Sequence, residues 1–204
     1  MNILVLDYGM GNISSVHKKI INSKDIIRVS SDRSDIKWAD KIILVGVGHF
    51  KNAMKNLKNL NLLDDLNDFA LIKKKLTLGI CLGMQIMCDF SEEGNVSGLG
   101  WVNAKIKKFT TDNKLQFKIP HVGWNQIKIA KKNDLFNGIE ESSEFYFVHS
   151  YFAEPQNKSI ILNKTNYIHE FCSAFQKENI IGVQYHPEKS HDAGEIFLKN
   201  FLNL

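Results

Sequence analysis

Leu76-Thr77-Leu78-Gly79-Ile80-Cys81-Leu82-Gly83-Met84-Gln85 reads as a strand, a tight turn and the start of a helix, continued by the apolar residues Ile86, Met87 and Phe90. Two glycines bracket the cysteine. This G-x-C-x-G has the layout of the G-x-S-x-G nucleophile elbow, where small flanking residues permit the cramped backbone that presents the nucleophile. A sulfur at a helix N-terminus meets free amides and the positive end of the helix dipole, and both favour the thiolate. A buried cysteine is ordinarily a small hydrophobe. Paired glycines, however, are out of place inside a strand or a helix. Far down the chain, His186-Pro187-Glu188 follows another strand-like run at 180–184. Cysteine as nucleophile, histidine as base and a carboxylate orienting the imidazole is the logic of acyl transfer. Only the fold can bring the two motifs together.

Working outward, the first ninety residues alternate strand and helix. Asn2–Leu6 is an apolar first strand, and Asn12 is placed to cap a helix whose Ile13, Val16, Ile20 and Ile21 share one face. Strand-like runs at 26–29 and 42–45 follow, and the second enters Gly46-Val47-Gly48. Amphipathic segments at 50–57 and 62–72 precede the elbow strand. This alternation predicts right-handed crossovers and a mostly parallel, doubly wound α/β sheet, with sites collecting at the strands' carboxyl ends. Beyond the elbow, runs at 101–109, 124–129, 145–148 and 160–162 are separated by Gly, Asn and Asp, which predicts additional antiparallel strands. A closing helix carries Ile196, Phe197, Phe201 and Leu202 on one stripe. With no repeat or linker, residues 1–204 read as a single domain.

Composition narrows the function classes. Hydrophobic residues make up 44% and charged residues 24%, as in globular proteins. The first strand is too short for a signal-peptide core or a membrane span, so the expectation is a cytoplasmic protein away from membranes. Of 26 basic residues only Arg28 and Arg33 are arginine, and the lysines are scattered, which argues against nucleic acid. Three cysteines without a CxxC pair suggest neither disulfides nor a cysteine-rich zinc site. Neither metal nor cofactor is expected. The Gly9-x-Gly11 turn invites a dinucleotide-binding reading, but position 14 is serine and the third glycine of that fingerprint is missing.

The elbow, the Gly46-Val47-Gly48 turn and His186-Pro187-Glu188 together resemble the class I glutamine amidotransferases, whose flavodoxin-like fold matches the expected α/β order. Six stretches extend the likeness over nearly the whole chain: Asp7-Tyr8-Gly9-Met10-Gly11-Asn12, Ser91-Glu92-Glu93, Gly98-Leu99-Gly100, Pro120-His121-Val122-Gly123-Trp124-Asn125, Phe147-Val148-His149-Ser150-Tyr151 and His186-Pro187-Glu188-Lys189-Ser190. These are similar to the glutaminase subunits of imidazole glycerol phosphate synthases. The resemblance implies that Cys81 attacks the glutamine side-chain amide and forms a glutamyl thioester, that His186 moves the proton, and that Glu188 orients His186. It implies backbone oxyanion donors at Val47 and Leu82, and glutamine contacts at Gly48, Gln85, Ser150 and Tyr151. It also implies a TIM-barrel cyclase partner in a heterodimer that receives ammonia for histidine biosynthesis, docked near Tyr8, Asn12, His121, Trp124 and Asn125.

Two residues depart from the family pattern. Val45 stands where proline is usual, and His49 where a small residue is usual, both beside the expected oxyanion donors. The departures leave open a paralogous glutaminase feeding another synthase, such as a sugar amidotransferase. A dinucleotide-binding α/β module is the reading from a different class. His121 and His149, without a nearby His, Cys or carboxylate at ligand spacing, read as structural or interface residues.

Overall fold

The computed structural model of the chain describes residues 1–21, 23–113 and 115–204. Four strands open the fold, β1 (Asn2–Leu6), β2 (Ile26–Ser30), β3 (Lys41–Gly46) and β4 (Leu76–Cys81), joined through helices α1 (Ile13–Ile20), α2 (Arg33–Trp38), α3 (Phe50–Asn59) and α4 (Leu63–Asn67). The chain then forms α5 (Leu82–Ile86), β5 (Cys88–Ser91), β6 (Val96–Ser97), β7 (Val102–Lys108), β8 (His121–Gln126) and β9 (Lys128–Ile129). It closes with β10 (Glu144–His149), β11 (Tyr151–Pro155), β12 (Ile161–Asn166), β13 (Glu170–Lys177), β14 (Ile180–Val183) and α6 (His191–Asn203). No helix among the described residues is long and apolar enough to cross a membrane.

The main sheet runs β2-β1-β3-β4-β14-β13-β11-β7-β5-β6. Its first five strands are mutually parallel, while β14–β13, β13–β11 and β11–β7 are antiparallel. This is the expected parallel sheet with an antiparallel extension. β1 lies between β2 and β3, so the winding reverses there, and the loops after β1, β3, β4 and β14 all emerge at the carboxyl end. Crevices at such reversals are where open α/β sheets bind ligands. Strand alternation explains the core: Leu4, Leu6, Ile42 and Leu44 pack on one face, and Ile3, Val5, Ile43 and Val45 on the other. Both faces are buried, so these strands read as continuous apolar runs.

Three local expectations are corrected. The helix after the elbow stops at Ile86, and Phe90 belongs to β5, which pairs with β7; partners distant in sequence outweighed the local helical stripe. The single strand expected over 124–129 is two, with β8 paired to β10 in a separate two-stranded sheet and β9 paired to β12. Asn12 precedes α1 at φ 63°, but its side chain makes no capping bond.

Candidate active site

Cys81 ends β4 and opens α5 with φ 53° and ψ −109°, a conformation that costs a non-glycine residue about 1–3 kcal/mol. The surrounding packing leaves it little choice. A Cβ on Gly83 would lie 1.7 Å from the Leu44 carbonyl oxygen, and one on Gly79 would lie 2.7 Å from the Gly83 carbonyl carbon. Glycine at both positions therefore lets α5 start directly against β3 and β4. The sulfur is nearly buried, 3.9 Å from the Val148 carbonyl oxygen and 3.6 Å from Gln184 Nε2.

β14 lies beside β4 in parallel register, Val183 opposite Ile80, and delivers His186 to the same end of the sheet. The backbone N–H of His186 donates to the Tyr146 carbonyl at 2.8 Å, which fixes the turn. Its Nδ1 pairs with Glu188 Oε1 at 2.8 Å, both side chains fully buried. The same Oε1 accepts from the Asn12 amide, so Glu188 is clamped from two sides. Among the described residues no nitrogen or oxygen bonds Nε2, which is the ring nitrogen left for the sulfur. Burial opposes the imidazolium, but the Cys81 sulfur and the Glu188 carboxylate outweigh it and lift the His186 pKa to about 10.

A cavity of about 260 Å³ opens at the sulfur, lined by Val47, Gly48, Leu82, Gln85, Ser150 and Tyr151 among others. Drug-sized ligands occupy roughly 300–1,000 Å³, so this space suits a molecule of amino-acid size. All four residues expected to contact glutamine line it. Gln85 is also committed internally, its Nε2 donating to the Tyr151 carbonyl and to Gln184 Oε1. Larger hollows elsewhere on the surface contain neither Cys81 nor His186. Of the two expected oxyanion donors, Leu82 is the first residue of α5, where the N–H has no helical acceptor. The Val47 N–H instead donates to the Met10 carbonyl at 2.8 Å and is turned away. The Gly9-x-Gly11 turn is therefore a support for the segment after β3.

The expected docking residues divide. Trp124 is 42% exposed and stacks on His191 with ring centroids 4.6 Å apart, and Asn125 is half-buried. Tyr8 and His121 are buried, which corrects their placement on a partner surface. Tyr8 packs its hydroxyl against Gly46, where a Cβ would lie 2.4 Å from it. His121 stacks between Phe147 and Tyr167, and its Nδ1 lies 3.0 Å from His149 Nε2, a pairing that sequence distance concealed. Burial holds both neutral, at about 4 for His121 and about 3 for His149. Asn12 faces the Glu188 carboxylate. Sequence reading missed Gln184, although residues two apart on an extended chain share a face, and His186 was already marked.

A family model described as glutamine amidotransferase class-I matches residues 4–204. The chain is 48% identical over 200 residues to the imidazole glycerol phosphate synthase subunit HisH 2 of Methanococcus maripaludis, covering 98% of each. It is 44% identical to the imidazole glycerol phosphate synthase subunit HisH of Pelagibacter ubique, covering 100% of each. Among solved structures, PurLQS from Thermotoga maritima superposes with a TM-score of 0.73 at 15% identity, covering 99% of this chain and 97% of that one. A glutamine amidotransferase from Thermotoga maritima gives 0.62 at 13%, covering 100% and 83%. At those identities the structural likeness speaks for the fold alone.

Proposed function

The chain belongs to the class-I glutamine amidotransferases, and on that footing we propose that it is the glutaminase subunit of an imidazole glycerol phosphate synthase, built as one domain over 1–204. The observation that carries this is 44–48% identity over nearly the whole chain to subunits of that name, in a chain whose elbow cysteine opens on a cavity and lies beside the His186–Glu188 pair.

Glutamine enters with its side-chain amide at the sulfur. Cys81 Sγ attacks the amide carbon, and the developing oxyanion is met by the Leu82 N–H and, once it has turned inward, the Val47 N–H. His186, kept protonated at neutral pH by its raised pKa, gives its Nε2 proton to the departing ammonia, leaving a glutamyl thioester. Water, deprotonated by the same nitrogen, then releases glutamate. Glu188 keeps the other ring proton on Nδ1, so that Nε2 faces the sulfur.

The Val47–Met10 hydrogen bond gives the reading a resting state. Its oxyanion site lacks one donor until the peptide rotates, which restrains wasteful hydrolysis while no partner is ready for ammonia. The partner is the TIM-barrel cyclase subunit, which docks on the exposed Trp124 region, and the assembly works in the cytoplasm.

The test is reconstitution with the cyclase subunit of the same organism. Wild type should support product formation from glutamine or from ammonium salts, and Cys81→Ala only from ammonium. A mutant complex that keeps its glutamine-driven rate would remove Cys81 from the reaction. Full glutamine dependence with a sugar synthase and none with the cyclase would replace the histidine assignment by the paralogous one.

A further inference from the structure

The triad leaves one contact of the Cys81 sulfur unexplained. Gln184 is fully buried just past the end of β14, and its Nε2 donates to Cys81 Sγ at 3.6 Å. The rest of its amide is engaged: Oε1 accepts from Gln85 Nε2 at 3.0 Å, and that nitrogen also donates to the Tyr151 carbonyl at 3.1 Å. A backbone carbonyl only accepts, so the Tyr151 contact settles which end of the Gln85 amide points inward. That in turn places the Gln184 oxygen toward Gln85 and its nitrogen toward the sulfur.

We propose that Gln184 is a further catalytic residue of this chain, an N–H donor oriented by Gln85 and the Tyr151 carbonyl that holds the Cys81 sulfur and stabilises its thiolate. The sulfur's two polar contacts respond oppositely to deprotonation. The Val148 carbonyl accepts from a thiol and repels a thiolate, whereas the Gln184 N–H becomes a charge-assisted donor once the sulfur is anionic. A polar side chain buried without gain would be replaced cheaply by an apolar one of similar size. Because Gln85 also lines the cavity, the relay joins the glutamine pocket to the nucleophile. Titratable groups face this region from every side: Tyr8 after β1, Glu93 after β5, His149 ending β10, Tyr151 opening β11, and His186 with Glu188 after β14. All are retained in the variants below.

The inference rests on Cys81 being the nucleophile, and its test needs no glutamine. The free subunit is alkylated with iodoacetamide across a pH series, and modification of the Cys81 peptide is followed by mass spectrometry. In Gln184→Met, the pH of half-maximal rate should rise by about one unit, with rates about tenfold lower at the acid end and converging at the alkaline end. A rate changed equally at every pH, with the midpoint unmoved, would reduce Gln184 to a packing residue and overturn the proposal. Should Gln184→Met fail to fold by circular dichroism, Gln85→Met decides. Freeing the Gln184 amide should raise the midpoint by a smaller amount, and an unmoved midpoint there overturns the relay. Failure of the glutaminase reading would appear separately, as glutamine hydrolysis surviving in Cys81→Ala.

Discussion

Glu188→Gln should cost glutamine hydrolysis little unless Asn12 is removed with it. Glu188 Oε1 accepts two N–H groups, from His186 Nδ1 at 2.8 Å and from the Asn12 amide. A glutamine at 188 has the same length, and its oxygen must sit where both donors converge, because its own NH2 there would face two donors. His186 then keeps its proton on Nδ1 and loses only the carboxylate's charge. A charge-assisted hydrogen bond contributes about 1.5–3 kcal/mol and a neutral one about 0.5–1.5, a difference of about 1–1.5 kcal/mol or roughly tenfold in kcat/KM. Removing Asn12 as well frees the amide to turn its NH2 toward Nδ1. Nδ1–H then loses its acceptor, and the imidazolium that must protonate the departing ammonia is destabilised. The double variant should therefore fall toward the roughly 10⁴-fold loss that losing the Nδ1 acceptor costs a triad. Asn12→Gly is the suitable partner, since Asn12 sits at φ 63° and glycine carries no strain there. Initial rates of ammonia release at saturating cyclase subunit, for wild type, each single variant and the double, give a mutant cycle in which the double loses far more than the sum of the singles. Additive losses, or a single Glu188→Gln as damaging as the double, would refute the reasoning.

Gly83→Ala forces a Cβ to 1.7 Å from the Leu44 carbonyl oxygen, so its cost should reach the upper end of the roughly 1–3 kcal/mol typical of overpacking, read as a fall of several degrees in Tm together with lost glutaminase activity. An unshifted Tm would mean that β3 and α5 separate freely. His186, raised to about 10 from an ordinary 6.5, contributes stability that is full below about pH 6.5 and lost as pH rises through about 10. Denaturant titrations should accordingly show wild type losing stability over that window relative to Cys81→Ala, which lacks the sulfur's upward push; parallel curves would contradict this. Val45→Pro fixes φ two residues before Val47, and should change the basal glutaminase rate by a larger factor than the rate with cyclase and its ligand bound. Equal factors in every state would separate this segment from the switch.

Much of the site was legible because its chemistry is local. Gly79, Cys81 and Gly83 announce the elbow by themselves, and His186-Pro187-Glu188 carries base and orienter within three residues. What stayed hidden depends on partners distant in sequence. Asn12 looked like a helix cap, but its amide serves a carboxylate 176 residues away. The 3.0 Å pairing of His121 with His149 exists only because β8 and β10 run antiparallel with those two residues in register. Tyr8 sits in a turn that reads as surface, yet Gly46 leaves room for its ring inside. β5 was masked by a helical stripe that the pairing with β7 overrode.

The most direct measurement is capture of the thioester. The complex, turning over glutamine under stimulation, is quenched in acid and digested, and its cysteine peptides are weighed. One glutamyl group is expected on the Cys81 peptide and none on the peptides of the buried Cys88 and Cys172. A glutamyl group on another residue, or continued glutamine hydrolysis by Cys81→Ala, would contradict this.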